Sequence, residues 1–261
     1  MLKEESLGGN PMAYKTGNPA LNANTFSAQS AAGITAFGDS SVMTLEGTVQ
    51  KTFLLVLLVI AAGALSWSQS ATPLVSTILT WGGLAAGFIS AMVLIFNKQM
   101  APVLAPLYAI FEGLALGGIS AQYNAAYQGI VAQAMELTVA VLLAMLLAYT
   151  SKLIKPTENF KLGVFSATAG ICLVYLFDLV LGLFGHPIGF IHDSGPMGIG
   201  ISLFIVLIAA LNLVLDFDFI EQGSLARAPK YMEWYGGFGL LVTLVWLYME
   251  ILRLLAKTRR R

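Results

Sequence analysis

The stretch "LNLVLDFDFIEQG", residues 211–223, ends a long apolar run and carries three carboxylates near its end. Residues four apart share a face of a helix, whereas residues two apart point in nearly opposite directions. Asn212 and Asp216 therefore stack on one face, and Asp218 and Glu221 lie on another. We expect Asp218 and Glu221 to be peripheral acids at a solvated helix end. Asp216, about one turn further in, is placed to face the protein interior and exchange protons with nearby water.

Three more acids interrupt apolar runs, at Glu112, Asp178 and Glu250. A carboxylate alone in hydrocarbon is protonated unless water, a cation or hydrogen-bond donors reach it. Arg253 is the one cationic residue of the sequence close to such an acid. A single acid of this kind can be a hydrogen-bonded core residue that fixes helix register. Several together with Asp216 favour an ion or proton path, because ionisable groups at membrane depth usually mark one.

The composition indicates the solvent that surrounds these acids. Hydrophobic residues make up 57% of the 261 residues and charged residues 11%, whereas soluble domains carry roughly 25% charged residues. We therefore expect an integral membrane protein with the lipid bilayer as its main partner. The net charge is zero, so no basic field favours nucleic acid. One cysteine and two histidines are too few soft ligands for a zinc site, and no cofactor is expected.

Seven apolar runs are each long enough to cross about 30 Å of hydrocarbon as a helix. They cover about 51–67, 74–96, 101–123, 130–149, 162–184, 197–220 and 234–255. The expected fold class is an all-α polytopic membrane protein with seven transmembrane helices. Short connections favour antiparallel neighbours in one bundle.

The remaining segments give three parts to the chain. Residues 1–46 are rich in Asn, Ser, Ala and Gly, lack the pattern of a signal peptide, and are predicted to form a disordered polar tail. Residues 47–256 form the transmembrane domain. Residues 257–261 are predicted to be a basic C-terminal tail that meets lipid head groups.

Lysine and arginine residues occupy alternate connections between the runs. Because basic residues are retained in the cytoplasm, we expect a cytoplasmic amino terminus. The basic C-terminal tail disagrees, since seven crossings would place it outside. Either that tail violates the rule or the seventh segment does not fully cross. Glu250 and Arg253 make this segment costly against lipid, so we expect a helix buried inside the bundle.

Glycines four apart predict where helices approach closely. Gly83 and Gly87 share one face of the second run, and Gly113 and Gly117 share one face of the third. We interpret both pairs as packing faces, since small residues allow helix backbones to approach within a membrane.

Several blocks of sequence are similar to a known family. In "DFDFI", Asp216 is followed four residues later by an isoleucine, and the seventh run ends in "WLYMEILRLL". With "MTLEGTVQKT", "LYAIFEGLALGGIS" and "YMEWYGGFGLLVTLVWLYMEILRLL", these blocks resemble the transmembrane Bax inhibitor motif family in its bacterial Bax inhibitor/YccA-like branch. The resemblance covers residues 43–257.

This resemblance implies six helices around a central seventh and a pH-dependent leak of cations, especially calcium. It also implies that an aspartate of span six shares protons with a second aspartate on the central helix. Asp216 matches the first position, but the second falls on Thr243, which is not an acid. Asp216 could hydrogen-bond Thr243, and Glu250, two turns further along the same face, is another candidate gate acid.

The leading hypothesis is therefore a calcium leak channel, and not an enzyme, gated by protonation of Asp216. Glu112, Asp178 and Glu250 would line or brace the path, and Asp216 would bind calcium only transiently. The alternative is a non-conducting membrane protein that modulates a membrane protease or a stress response, with a membrane protein partner bound through the N-terminal tail. The expected location is a bacterial inner (plasma) membrane.

A hydrolase is the third hypothesis, prompted by "HDSGP" at residues 192–196. Adjacency in sequence does not give the geometry of a catalytic triad, because the base must reach the nucleophile in space. This stretch instead has the composition of an exposed turn between the fifth and sixth runs.

Overall fold

The computed structural model describes residues 42–186 and 188–260, so most of the predicted N-terminal tail lies outside the described residues. The described part contains seven helices long and apolar enough to cross a membrane. They are α1 (Leu45–Ser68), α2 (Pro73–Phe96), α3 (Ala101–Ala126), α4 (Ile130–Thr150), α5 (Glu158–Leu183), α6 (Pro196–Leu225) and α7 (Met232–Arg259). The prediction of an all-α polytopic membrane protein is confirmed.

Local sequence explains where several helices begin. Thr44 and Thr157 precede α1 and α5, and each hydroxyl accepts a hydrogen bond from a backbone N–H three residues on. Proline opens α2 and α6, where its missing N–H costs nothing. The end of α6 differs from the prediction, because the helix continues five residues past position 220 to Leu225.

The two ends of the bundle, which we call the first and second faces, are tied by contacts between distant segments. At the first face, the backbone N–H of Met43 donates to the carbonyl of Ala228 at 2.7 Å, before α1 and after α6. At the second face, Arg259 donates to the carbonyl of Gln128 at 2.7 Å, which joins the end of α7 to the α3–α4 connection. Helix α7 therefore runs from one face to the other.

These contacts correct the predicted boundaries of both tails. Residues 42–46 belong to the folded part, since Met43 is buried and Leu45 begins α1. Lys257 is not in a basic tail, because it lies within α7 and its side chain is only 6% exposed. The seventh segment spans the bundle, and its basic end lies beside the second-face connections.

Helix α7 lies at the centre, as expected. It packs against α1, α3, α4 and α6, and its Glu250 also contacts α5. The surround of six helices is incomplete, because α2 packs mainly against the outer side of α3. Helix α6 is as buried as α7, so the interior of the bundle is built mainly from the α6–α7 pair.

The glycines of α3 lie where neighbouring backbones meet, as predicted. A Cβ added to Gly113 would lie 2.5 Å from the carbonyl oxygen of Val59 on α1, and one added to Gly117 would collide with Gly63 on the same helix. On α2, a Cβ at Gly83 would lie 2.6 Å from the carbonyl oxygen of Phe111. Helix α3 is therefore held between α1 and α2 by close backbone contact.

We expect Gly117→Ala to destabilise the protein by about 1–3 kcal/mol, because overpacking forces the backbones apart. Gly170→Ala on α5 is a matched control, since nothing lies within 4 Å of a Cβ at that position. A glycine-to-alanine change inside a helix is otherwise neutral or stabilising. Thermal unfolding of both variants in detergent checks this, and equal midpoints would contradict the packing account.

Candidate functional site

Asp216 lies on α6 and is completely buried, with an exposed fraction of 0%. It is nine residues before the end of α6 at Leu225, or about 13 Å along the helix axis. The sequence had placed it only one turn inside the end, and the longer α6 accounts for the difference. A carboxyl group at this depth is costly to ionise unless its surroundings or water compensate.

Asn212, one turn from Asp216, links α6 to α5. Its side-chain amide donates to the Thr168 hydroxyl at 2.8 Å and to the carbonyl of Ile208 at 2.8 Å. Since both amide hydrogens are used in this way, its carbonyl oxygen remains an acceptor. Asp216 and Asn212 therefore form a polar level within the core.

Thr243 occupies a similar depth on α7, eleven residues from the start of that helix at Met232, or about 16 Å. It is 3% exposed, and its hydroxyl donates to the carbonyl of Gly239 on its own helix at 3.4 Å. The structure thus places a hydroxyl, and not a second carboxyl, on the central helix at the depth of Asp216.

Glu250 has partners of its own. It is 2% exposed, and Arg253 donates to its two oxygens at 2.9 and 3.1 Å. The Tyr175 hydroxyl of α5 donates to the same carboxylate at 2.8 Å. Glu250 lies seven residues beyond Thr243, or about 10 Å nearer the second face. It therefore forms a separate ion pair at another level of the bundle.

An apolar layer separates the level of Asp216 from that of Glu250. Ala209 on α6 and Leu247 on α7 lie between these levels along their helices, and both are fully buried. Buried apolar side chains of α6 and α7 therefore lie between the two polar levels.

Asp218 and Glu221 are not the solvated acids predicted from the sequence. Asp218 is 8% exposed and forms a 2.8 Å ion pair with the buried Lys161 of α5. Glu221, half-buried, accepts a hydrogen bond from the Tyr149 hydroxyl of α4. Because α6 extends to Leu225, both acids lie within the bundle. They join α6 to α5 and α4 on the first-face side of Asp216.

Glu112 and Asp178 occupy two other environments. A Cβ built at Gly87 would lie 3.2 Å from Oε2 of Glu112, so this half-buried carboxylate packs between α2 and α3. Asp178 accepts a hydrogen bond from the backbone N–H of Ile188 at 2.8 Å and so holds the α5–α6 connection. These contacts place Glu112 at the α2–α3 contact and Asp178 at the α5–α6 connection.

Glu233 and Lys257 are further charged residues whose buried contacts were not predicted from the sequence. Glu233 of α7 is fully buried and accepts from the backbone N–H and hydroxyl of Thr44 and from Lys230 at 3.0, 2.8 and 2.8 Å. Lys257 donates to the carbonyl of Ile191 at 2.6 Å. In the sequence, no pattern indicated that a glutamate near the start of α7 and a lysine near its end would be buried.

Metal binding was expected only as a transient contact of calcium with Asp216. Within residues 42–186 and 188–260, no group of three or more His, Cys, Asp or Glu side chains is close enough to hold a metal ion. The "HDSGP" stretch lies in the α5–α6 connection and at the first residue of α6.

Residues 16–260 match the model of the Bax inhibitor 1 like family. The chain belongs to this family. The match includes every acid described above, and the family assignment made from the sequence blocks is confirmed. Comparisons with curated proteins and with solved structures find no match. This Bax inhibitor family member therefore combines seven helices long and apolar enough to cross a membrane with a fully buried Asp216 on α6.

Proposed function

We propose that this Bax inhibitor family member is a pH-dependent cation leak, with calcium as its cargo, and that protonation of Asp216 gates it. The observation that carries the proposal is the complete burial of Asp216 at the polar level of the α6–α7 core. Gain or loss of its proton changes the charge where α6 packs against the central helix. A buried charge favours entry of water, whereas a neutral carboxyl favours the closed packing.

The contacts near Asp216 indicate which parts of the bundle move when the channel opens and which stay packed. Asp218 with Lys161 and Glu221 with Tyr149 hold the first-face end of α6 against α5 and α4. The apolar layer lies on the second-face side of Asp216, and the Glu250–Arg253 pair lies beyond that layer, nearer the second face. We propose that ionised Asp216 hydrates the core and loosens α6 at the apolar layer, while these ties keep the bundle assembled.

Calcium would interact weakly with this site. Calcium prefers six to eight oxygen ligands, and Asp216, the amide oxygen of Asn212 and water supply only part of such a shell. Conduction requires binding weak enough for release. With Thr243 in place of a second acid, a single carboxyl carries the proton switch, so a simple one-proton titration is expected.

The orientation and location are also proposals. The first face carries the lysines and arginines of the α2–α3, α4–α5 and α6–α7 connections. We propose, by the positive-inside rule, that it faces the cytoplasm of a bacterium and that the second face, with the basic end of α7 as an exception to that rule, lies outside.

Calcium flux into liposomes across a pH series tests the proposed activity. The full chain is reconstituted, and protein-free liposomes from the same lipid are the control. We expect flux above the control that varies with pH by about fivefold or more, the lower range of allosteric coupling. Flux equal to the control at every pH would contradict conduction and favour the alternative, a non-conducting interaction protein. Cross-linking from the N-terminal tail would then capture its partner.

A further inference from the structure

A cavity of about 320 Å³ opens at the second face between α3 and α7. Its volume lies at the lower end of the roughly 300–1,000 Å³ found for small-ligand sites. Its polar lining residues are Gln122, Tyr123, Tyr127, Arg253, Lys257 and Arg260. Three of these are cations, and the lining contains no acid. The cavity is therefore a concentrated positive site at the end of the central helix.

Contacts around the cavity neutralise only part of this charge. Glu250 compensates Arg253. The ammonium of Lys257 donates to the carbonyls of Ile191 and Gly198 at 2.6 and 3.1 Å, and to the Ser202 hydroxyl at 2.8 Å. These three acceptors are uncharged, and the carboxylates of Glu250 and Asp193 act on the ammonium at longer range and offset part of its charge. Lys257 therefore contributes positive electrostatic potential to the cavity, but no hydrogen-bond donor for a ligand.

The two arginines supply the donors. Arg253 uses Nη1 for its bonds to Glu250 and Tyr175, and within the described residues its Nε and Nη2 have no acceptor. Arg260 donates through Nε to the Tyr127 hydroxyl at 3.0 Å, and its two Nη atoms likewise have no acceptor there. The Tyr127 contact fixes the guanidinium of Arg260 at the rim. Paired guanidinium N–H groups match the oxygens of a phosphate.

We propose that this cavity binds a phosphate group, with Arg253 and Arg260 as its donors and Lys257 as the buried positive charge. The group belongs either to an anionic lipid head group, which lies at this level in a bilayer, or to free phosphate. The proposal is independent of calcium conduction, since it rests on the cavity, the charges and the open donors. An occupied site would add a second link between the end of α7 and the α3–α4 connection, which Arg259 and Gln128 already join.

The test uses the full chain purified in a neutral detergent. Dioctanoyl phosphatidylglycerol and inorganic phosphate are titrated in separate arms by isothermal calorimetry, with dioctanoyl phosphatidylcholine as the zwitterionic control. Arg260→Gln removes a cavity donor, and Arg259→Gln is the matched control because Arg259 instead binds Gln128 and Gln133. Both arginines are exposed, so both variants are expected to fold.

We expect Arg260→Gln to weaken binding about tenfold, as loss of a charged hydrogen bond does, and Arg259→Gln to weaken it less than about twofold. Binding of phosphatidylglycerol alone assigns the site to lipid, and binding of inorganic phosphate assigns it to a soluble ligand. Binding of neither probe, or equal weakening by the two variants, overturns the proposal. Tyr127→Phe, which keeps the charge but frees Arg260, is expected to weaken binding by a smaller factor.

Discussion

Replacing Asp216 by asparagine is expected to make calcium flux independent of pH. Asparagine has nearly the same shape and stays neutral, so Asp216→Asn holds the polar level of the core in its uncharged form. Its flux at every pH should equal that of the native protein at the acidic limit, where Asp216 carries its proton. Flux measured in liposomes from acidic to alkaline pH checks this, beside the native chain at equal protein content.

Asp218→Asn is the matched control for this prediction. It makes the same chemical change two residues away, on the opposite side of α6, and breaks the ion pair with Lys161. We expect lower stability, since Lys161 loses its buried partner, but a pH dependence like that of the native protein. A flat profile in Asp218→Asn, or an unchanged profile in Asp216→Asn, would contradict the assignment of the gate.

The second large effect is expected at the Glu250–Arg253 pair. Arg253→Gln leaves the carboxylate of Glu250, which is 2% exposed, with Tyr175 as its remaining partner of the cluster. Removing one partner of a buried pair typically costs about 3–5 kcal/mol, because the other charge is left uncompensated. Glu250→Gln is expected to cost less, since the side chain of Arg253 is 33% exposed and can reach water. Chemical unfolding in detergent measures both.

The double variant Glu250→Gln, Arg253→Gln is the control. It removes both charges and should recover part of the loss seen in Arg253→Gln alone, because no buried charge remains unpaired. Additive losses in the double variant would show that the two residues act independently and would contradict the pair described here.

The positions of the helices were readable from the sequence because apolar runs of sufficient length have few alternatives in a bilayer. The stacking of Asn212 on Asp216 also followed from helical spacing, as did the closeness of Arg253 to Glu250 on one helix. The glycine faces of α2 and α3 were predicted correctly for the same reason. Each of these inferences concerns residues a few positions apart on one helix, where geometry is fixed by the helix itself.

The contacts between helices were not readable in this way. Lys161 was assigned to a connection and Asp218 to water, yet they form a buried pair, because α6 extends further than its apolar run. Tyr175 gave no sign that its hydroxyl meets Glu250 across α5 and α7. Polar groups of this kind form hydrogen bonds with one another only in the folded bundle. The spacing of residues along one helix does not show which groups on other helices they contact.

The absence of a second acid opposite Asp216 was readable, because alignment of the family-like blocks placed Thr243 there. The consequence of this absence could be derived only from the structure. Glu250, the other candidate, lies about 10 Å further along α7 and is already paired. Asp216 is therefore the carboxyl of the polar level on α6, and Thr243 lies at a similar depth on α7.

The most direct test of the account is an infrared titration of the protonated carboxyl band in the reconstituted protein. We expect one component of this band to be lost in Asp216→Asn and kept in Asp218→Asn, with a titration midpoint that coincides with the midpoint of the calcium flux. A band unchanged in Asp216→Asn, or a midpoint of the lost component well separated from that of the flux, would contradict gating by protonation of Asp216.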